Sequence, residues 1–131
     1  MLGNLILEDR GKTTSIRILP DGKMEQTSQG QGKWYGVEST NISTGVSIMR
    51  PDGTFAGEGH GFIATKDGDM ITIKFNGVGS PTGKGWAATY RGAAFAQTAS
   101  PKYAQASKLT FVWEYESGEN GDYTLKVWEW K

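Results

Sequence analysis

The sequence predicts an all-β fold, a single domain formed as a roughly eight-stranded antiparallel β-barrel with one short helix. Three observations predict it. Turn signals recur along the chain, among them Pro20-Asp21-Gly22, Pro51-Asp52-Gly53 and Asp67-Gly68. The segments between them alternate in polarity with period 2, which sends one set of side chains to each face of a strand. Phe55 to Ile63 reads F-A-G-E-G-H-G-F-I, with Gly57, Gly59 and Gly61 at every second position. Three missing side chains on one strand face let a sheet coil sharply or leave volume beside it, as in a barrel wall.

In each Pro-Asp-Gly triplet, Pro presets φ, Asp bonds the local backbone and Gly takes positive φ. Strands are expected over 14–19, 34–39, 42–49, 55–65, 70–77, 86–93, 109–116 and 123–130, with 23–28 a weaker candidate. Ser80-Pro81-Thr82-Gly83 and Ser117 to Gly121 read as longer loops. Leu109, Phe111, Trp113 and Tyr115 share one face, and Thr110, Val112, Glu114 and Glu116 the other. Ile71, Ile73 and Phe75 oppose Thr72, Lys74 and Asn76. In the last strand, Tyr123, Leu125, Val127 and Glu129 oppose Thr124, Lys126, Trp128 and Trp130. Both faces carry large apolar groups, so either one is core and the other an interface, or two aromatics sit on the surface. Gly30 with Gly32, and Gly77 with Gly79, repeat the Gly-x-Gly ending and read as strand ends bent by glycine. Ser100-Pro101 before Lys102 to Ala106 reads as an N-cap, a Pro at the first helical position and a short helix. It would lie across one barrel end, closing it or gating the interior.

The 131 residues make one domain, residues 1–131, able to bury a core without disulfides. The hydrophobic share is only 37%, but five Trp, five Tyr and five Phe carry much apolar area each. Lys plus Arg balance Asp plus Glu at 14 each. Zero net charge argues against a nucleic-acid partner. It gives little protection against self-association, so a homo-oligomer is expected. The absence of cysteine excludes thiol catalysis and thiolate metal sites. The opening M-L-G-N-L-I-L-E-D-R is too short in apolar residues for a secretory leader. No stretch approaches the ~20 apolar residues of a membrane helix. A cytoplasmic protein without a membrane partner is therefore expected. Asn41-Ile42-Ser43 matches a glycosylation sequon, read as a chance match.

His60 is the sole histidine and no D-x-[DN]-x-[DN]-G cluster is present, so neither a metal nor a cofactor is expected. Glu58 and His60 fall on one strand face, about 6–7 Å apart along it. A carboxylate beside an imidazole can raise its pKa and orient it as a general base. The simpler reading is that both face solvent. If the glycine face is inside, His60 is outside; if not, Glu58 and His60 line the interior. No G-x-S-x-G elbow is present. The run Ser80 to Gly85 offers Gly, Lys and Thr but lacks the spacing and following helix of a phosphate loop. Trp86, Tyr90 and Gly92 share a face, with Ala88 leaving space between them, as in the lining of an apolar pocket. Trp34 and Phe111 complete the candidate apolar contacts, and Glu114 is a candidate for orienting a ligand. Glu38 and Glu129 are further carboxylates at a rim or buried.

Tyr90 to Lys102 (Y-R-G-A-A-F-A-Q-T-A-S-P-K), the ending Lys126 to Lys131 (K-V-W-E-W-K) and the Gly-x-Gly-x-Gly stretch together resemble a family of small prokaryotic proteins. That family is similar in fold to allene oxide cyclase. The resemblance implies a short antiparallel barrel, usually oligomeric, with a cavity for an apolar ligand. No cyclase catalytic motif maps onto these positions, so the activity does not follow from it. The function expected is binding of a small apolar molecule. The alternatives are an isomerase or cyclase using Glu58 and His60, and a structural oligomeric barrel with Trp128 and Trp130 at its interface.

Overall fold

The computed structural model describes residues 1–131 as eight antiparallel strands closed into a barrel, each paired with the next and the last with the first. The strands are β1 (Leu2–Leu19), β2 (Lys23–Trp34), β3 (Val37–Met49), β4 (Phe55–Thr65), β5 (Met70–Pro81), β6 (Ala88–Gln97), β7 (Thr110–Ser117) and β8 (Asp122–Trp130). A 3₁₀ segment, Pro101–Lys108, joins β6 to β7. The all-β barrel with one short helix is thus the observed fold.

The turns form where Gly, Asp and Pro supply their geometry. Asp21 and Gly22 take φ of 66° and 73°. Asp52 Oδ1 accepts from the Thr54 amide at 3.0 Å, and Gly53 closes that turn at φ 86°. Several elements differ from the sequence reading: β2 and β5 run on to Trp34 and Pro81, through Gly30, Gly32, Gly77 and Gly79, and three further elements depart more sharply. Strand 34–39 is instead a tight hairpin: Trp34 and Val37 are partners, and Tyr35 and Gly36 take φ of 47° and 80°. Two consecutive positive φ values mark the turn type that suits the right-handed twist of a hairpin. A Tyr there is strained, and its ring offsets the strain by meeting Trp34 edge-on at 5.0 Å and bonding Glu129. Next, β1 begins at Leu2 rather than Thr14. Register shifts between Leu2 and Leu7 put Ile6 and Leu7 both in the core and hide the alternation there. Finally, β6 begins at Ala88, because Gly83 and Gly85, at φ 90° and 55°, fold residues 82–87 into a loop.

The two barrel ends differ. At one, Trp34, Ile63, Ile71 and Phe111 pack against Tyr103 and Ala106 of the 3₁₀ segment. The segment closes that end, as one of the two expected roles required. Ser100 makes no side-chain cap; its carbonyl accepts from the Tyr103 amide at 3.2 Å. At the other end, β1 runs on past Lys12, its last residue paired with β8, and carries Ile16 and Ile18 exposed there. No helix is long and apolar enough to cross a membrane.

Candidate functional site

The interior face is the glycine face. Gly57, Gly59 and Gly61 point inward, while Glu58 and His60 are exposed. The missing side chains are not simply empty volume: Gly59 and Gly61 lie close against the backbone of β3, and at Gly59 a ring of β5 also takes up the space. A Cβ built on Gly59 would stand 2.5 Å from Phe75 Cζ, and one on Gly92 would stand 2.5 Å from Trp113 Cζ2. Trp113 is fixed there by donating Nε1–H to the Ala93 carbonyl at 2.9 Å. Glycines on β4, β5 and β6 thus let large side chains of β5 and β7 lie against bare backbone.

Between the plugged end and the rim lies a pocket of about 160 Å³. Sixteen of its 26 lining residues are hydrophobic. Its walls differ in character. The strands β5 to β8 contribute Ile73, Phe75, Phe111, Trp113, Leu125 and Val127. From β2 and β3 come the polar Gln26, Ser28, Asn41, Ser43 and Ser47, together with Trp34, Ile42 and Val46. Tyr90, Tyr115 and Tyr123 also line it, with Tyr115 stacked on Tyr123 at 5.0 Å.

Behind the polar wall sits Asp9, which is 1% exposed. Asn41 Nδ2 donates to Asp9 Oδ2. The Tyr123 hydroxyl lies 3.5 Å from Asp9 Oδ2 and 3.4 Å from Asn41 Oδ1, and Asp9 Oδ1 has no partner. Burial pushes the Asp9 carboxyl above its ordinary range, against the lowering effect of the Asn41 hydrogen bond. Burial, reinforced by the charge of Asp9, likewise pushes the Tyr123 phenol up, so it keeps its proton. β2 makes room for this cluster: a Cβ on Gly30 would stand 2.9 Å from Asp9 Oδ2, and one on Gly32 would stand 3.0 Å from Asp9 Oδ1.

Of the candidate site residues singled out in the sequence, Trp34, Tyr90 and Phe111 line the pocket, and Glu58 borders it between the inward glycines. Trp34 is buried at its plugged end, where its Nε1–H has no partner. Trp86 does not reach the pocket: it is 75% exposed on the loop between β5 and β6. Glu114 faces outward, paired with Arg91 at 3.7 Å. His60 sits on the outer surface opposite Thr44 and Lys74, and Glu58 opposite Val46 and Asn76. His60 is absent from the pocket lining, whereas Glu58 borders the pocket with its exposed side chain out of phase with the inward glycines. Glu38 is exposed and meets Lys66 at 3.3 Å. Glu129 is buried at the plugged end, accepting from the Tyr35 hydroxyl at 2.7 Å and facing Lys131 Nζ at 3.3 Å. Burial, with this neighbouring carboxylate, pushes the Tyr35 phenol up. No group of three or more His, Cys, Asp or Glu side chains forms a metal-binding cluster.

The sequence reading gives no site role to Asp9, Asn41 or Tyr123. The available signal was phase: Leu7, Asp9, Gly11 and Thr13 alternate with Glu8, Arg10 and Lys12. A carboxylate in phase with an apolar and a glycine residue, on a strand, points inward.

No protein-family model and no curated protein matches the chain. Solved structures do share its fold. A protein with unknown function from Clostridium acetobutylicum ATCC 824 superposes with a TM-score of 0.81 at 19% identity, over 98% of each chain. A conserved protein of unknown function from Rhodopseudomonas palustris gives a TM-score of 0.81 at 14% identity, over 98% of this chain and 97% of that one. A β-barrel-like protein from Acinetobacter baumannii AYE gives 0.80 at 12% identity, over 100% of this chain and 96% of that one. At such identities the likeness establishes the fold and nothing about chemistry: the chain is similar to β-barrel proteins of unknown function.

Proposed function

We propose that the barrel binds one small, largely apolar molecule in its interior pocket. The observation that carries this reading is the asymmetric pocket itself. Its volume, about 160 Å³, matches the engineered apolar cavity of ~150 Å³ that takes up benzene. It falls below the ~300 Å³ at which drug-sized sites begin. The occupant is therefore about the size of a single ring. Phe75, Phe111 and Trp113 supply flat apolar surface, and burial of that surface drives binding. The test is toluene binding followed by ligand-observed NMR. The variant Gly45→Leu serves as control: Gly45 lines the pocket, and a Cβ there has ordinary clearance of at least 3.5 Å. Toluene should bind the wild type and not the filled variant. No binding to the wild type, or equal binding to both, overturns the reading.

A second reading, self-association, is favoured by one surface. Leu2 pairs with Trp130, and Leu5 with Trp128, across β1 and β8. Leu2, Leu5 and Trp130 are 54%, 46% and 50% exposed. A row of large apolar side chains at a strand pair suits contact with a second copy of the chain.

A further inference from the structure

The polar cluster beside the pocket narrows the ligand further. Asn41 has two amide hydrogens, and the structure commits one of them to Asp9 Oδ2. The Tyr123 hydroxyl has one hydrogen, directed to Asp9 or Asn41, and lone pairs left over. Asn41 and Tyr123 both line the pocket, whereas Asp9 does not. The pocket therefore meets one free donor and one free acceptor next to each other, facing an aromatic wall. The glycines at 30 and 32 show that the arrangement is built, since a side chain at either position would crowd the Asp9 carboxylate.

Resting on the binding reading above, we infer that Asn41 and Tyr123, held in place by Asp9, form the polar anchor of the pocket, and that its occupant is a single-ring phenol. The phenol hydroxyl accepts from the Asn41 amide and donates to the Tyr123 oxygen, while the ring lies against Phe75, Phe111 and Trp113. Other polar groups fit less well. A carboxylate would meet the Asp9 carboxyl through Asn41 with no cation in the lining, because no Lys, Arg or His side chain borders the pocket. An ammonium group would require direct access to Asp9, which the lining does not give. A neutral hydroxyl uses both free valences. Asp9 is a positioning residue here, since its contact is with Asn41 and Tyr123 rather than with the ligand.

The test compares phenol with toluene, which match in size and differ only in hydroxyl against methyl. Affinities are measured by ligand-observed NMR titration on the wild type and on Tyr123→Phe. Phenol should bind the wild type at least as tightly as toluene, even though water holds phenol more strongly. Tyr123→Phe should weaken phenol about tenfold, the size of one net hydrogen bond, and leave toluene within about twofold. Should toluene bind while phenol does not, or should Tyr123→Phe weaken both alike, the anchor is overturned and the apolar pocket stands. Should neither bind, the pocket reading fails and takes the anchor with it. The wild-type comparison alone decides the matter if the variant does not fold.

Discussion

Gly45 and Gly59 are Cα partners across β3 and β4, yet their surroundings are opposite. A Cβ on Gly45 would find its nearest neighbour at 3.5 Å, with Phe75 Cε2 at 3.6 Å. A Cβ on Gly59 would press on Phe75 Cζ at 2.5 Å and on the Gly45 Cα at 2.8 Å. One glycine borders the open pocket and the other lies beneath a ring. Gly45→Ala should therefore raise stability by about 0.4–1 kcal/mol, because it restricts the unfolded chain at no steric cost. Gly59→Ala should lower it by about 1–3 kcal/mol, since Phe75 or the backbone must shift. Urea unfolding at unchanged m-value reads both. Two changes of the same sign would show that the two glycines do not differ in the clearance around them.

Asp9 gives the protein a distinctive dependence on pH. Its carboxyl is raised by burial, so the native chain holds that proton more tightly than the unfolded chain does. The stability tied to the neutral form is fully present below the unfolded carboxylate value near ~3.9, falls as pH rises from there through the raised native value, and stays lost above it. Asn carries no charge at any of these pH values and retains an oxygen to accept from Asn41. Asp9→Asn should thus melt at a higher temperature than the wild type at pH 7 to 8, with the gap closing as pH falls towards 4. Melting curves for both proteins at half-unit steps of pH test this. Parallel curves would mean that Asp9 titrates as it does in the unfolded chain.

How far the sequence carries to the structure depends on which physical signal each residue leaves. Period-2 alternation located β4, β5, β7 and β8 within a few residues and grouped Phe111, Trp113 and Tyr115 on one face, the face that lines the pocket. At β1 a shift of register between Leu5 and Leu7 interrupts the pattern and hides the start of the strand, so that the phase carrying Asp9 inward stands only from Leu7 onward. Alternation failed at Trp86 because the positive φ of Gly83 and Gly85 is a property of the loop and not of any periodicity. The Gly57, Gly59 and Gly61 stripe signalled a barrel wall but left its direction open, since a bare face serves a cavity or a ring equally well. That direction is decided by Phe75 on β5, a residue on the adjacent strand. Once the stripe faces inward, period 2 obliges the Glu58 and His60 side chains to face out, although Glu58 still borders the pocket between two bare glycines.

Trp130 offers the sharpest test of self-association. It is half exposed beside Leu2 and close to Thr110 on β7. Removing its ring takes little from a single barrel, on the order of 0.5 kcal/mol as for other surface positions, but it removes an aromatic anchor from any contact made there. Sedimentation of Trp130→Ala at several concentrations should show a shift towards monomer with an almost unchanged melting temperature in the monomer range. Glu8→Ala provides the control, because Glu8 is an exposed β1 residue paired with Lys126 at 3.8 Å, away from the Leu2–Trp130 pairing. It should leave the distribution as in the wild type. A wild type that stays monomeric throughout, or a Trp130→Ala profile identical to an oligomeric wild type, places the apolar row outside any interface.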